Sequence, residues 1–161
     1  LKGKIYVASY VIKLIIIKEW LNEKKICERR KIMRIPETIQ ERRKLLKQEL
    51  NQYIGISFYC KALDCKVSIT EKSVIETAYQ AAISKQATKL ALHLPEVIRE
   101  ASVLELHLPA KVGRQQKNMK FVEIANLVSS ITRVGIAKLT VGFTLDGNAI
   151  HYAITDFECI K

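Results

Sequence analysis

Residues 138–155, KLTVGFTLDGNAIHYAIT, alternate apolar and polar side chains on both sides of an Asp-Gly pair, a pattern that constrains the fold more than any other in the chain. Asp146-Gly147 predicts a two-residue hairpin turn, because both central positions of the favoured turn need positive φ. That register sets Phe143 opposite Ile150, Val141 opposite Tyr152 and Leu139 opposite Ile154 on one apolar side. The reverse side then carries Lys138, Thr140, Gly142, His151, Ala153 and Thr155. Shifts of two residues leave these faces unchanged, since side-chain direction has period two. SVLELHL, KFVEIANLVSSI and GIAKLTVGFTL read as further strands before NAIHYAITDF, so the C-terminal half predicts a four-stranded antiparallel sheet.

Upstream the periodicity changes. ISFYCKALDCKVSIT alternates well enough for two short strands around ALD. Ser73 and Glu76 have capping-box spacing, so SVIETAYQAAI predicts a helix, followed by SKQATKLALHL and a short turn of helix after Pro95. PETIQERRKLLKQELNQYI predicts another helix, opened by Pro36 in its first turn, with Ile39, Leu45, Leu46, Leu50 and Tyr53 as its apolar face. From Tyr6 to Arg30, apolar residues at Val7, Val11, Leu14, Ile17 and Leu21, with Trp20 beside them, predict a core helix with a broad buried stripe. A membrane-surface helix is the alternative. The apolar run from Ile5 to Ile17 is broken by Lys13 and is too short for a membrane span. The expectation is an α+β chain. A basic N-terminal helical hairpin occupies residues 1–54, and residues 55–161 hold short strands and helices packed on the four-stranded sheet.

The net charge of +11 is uneven: residues 1–50 hold 14 Lys/Arg against 6 Asp/Glu. Such an excess attracts polyanions, with RNA as the first expectation. Arg29 and Arg30 in KKICERRKIMR, and Lys111, Arg114, Lys117 and Lys120 in the loop KVGRQQKNMK, are the predicted phosphate contacts. Four cysteines without a CxxC pair read as reduced thiols of a cytoplasmic protein, with no metal site. Phosphate-binding GxxxxGK[ST], dinucleotide GxGxxG and HExxH patterns do not occur, and no cofactor is expected.

The polar face of the last hairpin gathers residue types suited to cleaving RNA without a metal. That chemistry needs a proton carrier at the 2′-hydroxyl and leaving oxygen, and a fixed cation for charge building on phosphate. His151 would be the carrier, Lys138 the cation, and Thr140 and Thr155 donors to phosphate oxygens. Gly142, opposite His151, would leave room for a ligand, and Tyr79 or His93 would be the second proton donor. A merely solvated sheet face is the alternative.

From VSITEKSVIETAY through ATKLALHLPEVIREA, KFVEI, VGIAKLTVG and IHYAIT, the order of elements resembles the large polyvalent protein-associated domains of phage and conjugative-element proteins. These are assigned to the barnase, EndoU, colicin and RelE ribonuclease-like superfamily. The resemblance covers roughly residues 67 to 157. It implies a metal-independent RNA endonuclease or toxin-like effector of a mobile element, with His151, Lys138 and Thr140 at matching positions. It also implies an antidote protein or a larger polyvalent protein as context. The reading from another class is a non-catalytic nucleic-acid-binding or protein-docking module.

Overall fold

A computed structural model describes residues 14–21, 33–109 and 120–157, and it divides the chain into two compact units, Leu1–Arg34 and Ile35–Lys161. In the first unit residues 14–21 form a helix, α1. They are the described part of the helix expected from Tyr6 to Arg30, the remainder of which lies outside the described residues. Leu14, Ile15, Ile16, Ile17, Trp20 and Leu21 are each between 46% and 57% exposed.

The second unit runs α2 (Ile39–Leu50), β1 (Ser57–Cys60), β2 (Cys65–Ser68), α3 (Glu71–Ala81), α4 (Lys85–Ala91), α5 (Leu94–Arg99), β3 (Ser102–Pro109), β4 (Phe121–Ile131), β5 (Gly135–Thr144) and β6 (Ala149–Asp156). The helix starts are set by short hydroxyl side chains. Thr38, not Pro36, caps α2, its Oγ1 accepting from the Glu41 backbone N–H. Thr70 and Ser73 form the capping box of α3 reciprocally, so that helix begins earlier than the Ser73–Glu76 spacing suggested. Each cap satisfies a backbone donor that the first helical turn leaves without a partner.

Helix α2 lies within this second unit, which begins at Ile35. Leu46 and Leu50 are buried, and α2 packs on α3. Between them Arg42, only 5% exposed, is saturated by backbone carbonyls. Its Nε donates to Ala82 O at 2.7 Å, and its Nη1 donates to Glu37 O at 2.6 Å and Pro36 O at 3.0 Å.

The four predicted C-terminal strands form antiparallel neighbours β3–β4–β5–β6, but the sheet has six strands, in the order β1-β2-β6-β5-β4-β3. A hairpin of two four-residue strands is too small to stand alone. It extends the sheet by pairing β2 in parallel with the start of β6, Val67 beside Ala149 and Ser68 beside Ile150. The sheet is therefore mixed. One face packs on the helices and buries Ala125, Leu127, Ala137, Leu139, Val141 and Ile154.

The register of the last hairpin departs from expectation in two places. Only Gly147 of the turn has positive φ, and Thr144 N–H donates to Asn148 O, so the loop is the three residues Leu145 to Gly147. That adds one residue and pairs Val141 with His151, Gly142 with Ile150 and Phe143 with Ala149. A β-bulge at Tyr152 then restores the predicted pairing of Leu139 with Ile154. The ring of Phe121 lies where a Gly142 side chain would project, so the space expected for a ligand is filled. Gly142→Ala should therefore destabilise the protein by about 1–3 kcal/mol, because a rigid ring in a packed site must shift. Urea unfolding checks this, and an unchanged midpoint would contradict the packing.

Candidate functional site

The one-residue shift decides the fate of the predicted catalytic group. His151 lies on the same side as Val141 and points under α3, where it is 0% exposed. Its Nε2 shares a 2.7 Å hydrogen bond with Thr77 Oγ1, and its Nδ1 has no hydrogen-bond partner. Burial alone drives its pKa down to about 3, because the imidazolium would lose its hydration without gaining a countercharge. His151 is thus a neutral core residue, on the opposite face from Lys138, Thr140 and Thr155.

Those three residues do share a face. Lys138 pairs with Thr155 across β5–β6, and Thr140 lies two positions along, all half-buried. The row continues through residues that alternation alone had not singled out. Thr140 Oγ1 donates to Asn126 Oδ1 at 3.1 Å, and Asn126 Nδ2 donates to Glu105 Oε2 at 3.0 Å. Asn126 is buried and spends its amide on this cross-strand ladder. The register Asn126–Thr140 would have revealed it, had the pairing of β4 with β5 been known. Phe121, whose ring lies over Gly142, makes an edge-to-face contact with Tyr152, their ring centres 5.9 Å apart. Burial, and then the neighbouring Glu76 carboxylate, raise the Tyr152 phenol pKa.

The proposed second proton donors lie elsewhere. Tyr79 is on the outer side of α3, 46% exposed, with Arg43 4.4 Å and Lys47 5.1 Å from its ring centre. His93 precedes α5 as its N-cap residue and lies 3.2 Å from Glu96 Oε2. Of the predicted phosphate contacts Lys120 is exposed at the start of β4, with φ +56°. Arg29, Arg30, Lys111, Arg114 and Lys117 fall outside the described residues.

Cys60 and Cys65 face each other across β1–β2 as free thiols. Burial foremost, and then Cys60, push the Cys65 thiol up, away from the nucleophilic thiolate form. Among the described residues no cluster of three His, Cys, Asp or Glu side chains is placed to hold a metal ion. Nor is any described helix long and apolar enough to cross a membrane.

Comparison with family models, with curated protein sequences and with solved structures finds no match for the chain.

Proposed function

We propose that the unit from Ile35 onward is a non-catalytic RNA-binding module that meets its ligand on the outer surface of α2 and α3. The observation that carries this reading is the convergence of Arg43 and Lys47 on the exposed ring of Tyr79. Lys44, exposed on the same helix, extends the positive surface. Guanidinium and ammonium groups beside a solvent-accessible ring form the minimal apparatus for gripping a single strand. The cations hold phosphates while a base stacks on the aromatic face. Cleavage would also need a group able to exchange a proton at the phosphate. His151, the residue expected to do so, is sealed in the core with a pKa near 3.

The test is fluorescence anisotropy with a labelled single-stranded RNA across a salt series, run in EDTA, with the RNA recovered afterwards on a gel. Arg43→Ala/Lys47→Ala should weaken binding about tenfold. It should also lower the slope of log K against log salt by about 1.4, since each cation released from a single strand contributes about 0.7. The RNA should come back intact. An unchanged slope would remove this surface as the interface, and cleaved RNA, especially if lost in Lys138→Ala, would return the polar sheet face to enzymatic duty.

A further inference from the structure

Cys60 and Cys65 are directly opposed residues at the turn end of the β1–β2 hairpin, Cys60 buried and Cys65 half-buried. Opposed residues of an antiparallel ladder project to the same face, with Cα atoms about 4.5–5.5 Å apart. A disulfide spans Cα separations of about 4.4–6.8 Å, so the backbone already holds the two residues at the spacing a disulfide needs. The turn between them is fastened on itself. Leu63 N–H donates to Cys60 O and Asp64 N–H to Lys61 O, both at 3.2 Å, and the Tyr59 hydroxyl donates to the Asp64 carboxylate. The two side chains also share one environment, since Cys60 follows burial among the causes that raise the Cys65 thiol pKa.

We infer that Cys60 and Cys65 form a reversible dithiol–disulfide site, closed by exchange with a small disulfide of the glutathione type. Exposure fixes the order of events. The Cys65 thiolate attacks one sulfur of the small disulfide, so a mixed disulfide forms, the old S–S bond breaks and one small thiolate leaves. The Cys60 thiolate, which burial keeps from bulk reagents, then attacks Cys65 Sγ and expels the second small thiolate. The two cysteines lose two electrons in all, the small disulfide gains them, and the two cysteine protons end on the released thiols. The second step is intramolecular between groups already opposed, which favours ring closure over persistence of the mixed disulfide. The hairpin's own hold on the sheet is slight, since β2 meets β6 at only two residue pairs, Val67–Ala149 and Ser68–Ile150. Closing the disulfide ties β1 to β2 covalently and so steadies this edge of the sheet.

The full chain is reduced, incubated folded with excess glutathione disulfide, quenched with acid and mapped by mass spectrometry. Trypsin cuts after Lys61, so Cys60 and Cys65 leave on separate peptides unless a disulfide joins them. The joined peptides should dominate, lighter than their sum by the mass of two hydrogens. Cys60→Ala removes the resolving thiol and should raise the glutathione adduct on Cys65 by about tenfold. Cys65→Ala should leave Cys60 unmodified in the folded protein. Closing the disulfide should raise Tm by about 5 °C, an increase that dithiothreitol reverses.

A glutathione adduct that persists on Cys65 of the native chain overturns the inference. So does a Cys65 that stays unmodified, or a link from either cysteine to Cys27 or Cys159. The native-chain map decides this whether or not the two variants fold. None of these results bears on RNA binding through α2 and α3, which uses other residues.

Discussion

Replacing Arg42 by methionine is expected to destabilise the protein by about 3 kcal/mol or more, lowering Tm by about 10 °C. The guanidinium closes the gap between the start of α2 and the end of α3 by donating to carbonyls of Pro36, Glu37 and Ala82. Methionine fills much of the volume but donates nothing, so the carbonyls lose their charged partner in a site with little water. Lysine keeps the charge, yet its ammonium cannot reproduce a planar fork aimed at both chain segments. Arg42→Lys should therefore recover only a minor part of the loss. Calorimetry of the three proteins decides it; equal Tm values would mean that the carbonyls are satisfied without the guanidinium.

The second large effect is an acid sensitivity centred on His151. Its folded pKa of about 3 lies below the ordinary value of 6.5, so the unfolded chain binds the proton more readily. The corresponding stability is fully present above pH 6.5 and is lost as pH falls from 6.5 towards 3. Relative to pH 7 the loss should reach about 2 kcal/mol at pH 5 and about 3 kcal/mol at pH 4. His151→Gln retains a polar group for Thr77 but does not titrate, so its stability should be nearly flat between pH 7 and 5. Most carboxylates are still ionised in that interval, which isolates the histidine. Urea midpoints measured at half-unit steps would show it, and parallel curves for the two proteins would remove His151 as the source.

Much of this architecture is readable from local patterns. Alternation located all six strands, and Gly55, with φ +83°, ends the helical region where expected. The errors in the last hairpin share one physical cause, namely that they depend on a count of one. A turn of three residues instead of two reversed the facing of Ala149 to His151, and the bulge at Tyr152 restored it beyond. Asp-Gly is compatible with both loop lengths, so the turn residues could not choose between them. Burial made the choice, since Val141 and His151 now share the helix-covered side while Lys138, Thr140 and Thr155 keep the other. The predicted polar row was right except for the residue on which its chemistry depended.

The α2–α3 cluster was invisible as a pattern. Arg43 and Lys47 lie more than thirty residues before Tyr79, and only the packing of two helices brings them together.

The parallel pairing of β2 with β6 carries a consequence for how the chain is made. Val67 precedes its sheet neighbour Ala149 by about eighty residues, so the β2–β6 ladder cannot close until almost the whole unit from Ile35 has left the ribosome. Thr77 waits equally long for His151. Folding should accordingly be a late, all-or-none event with a large loop-closure penalty. Chains released before β6 would expose the underside of α3, a natural target for proteolysis and quality control.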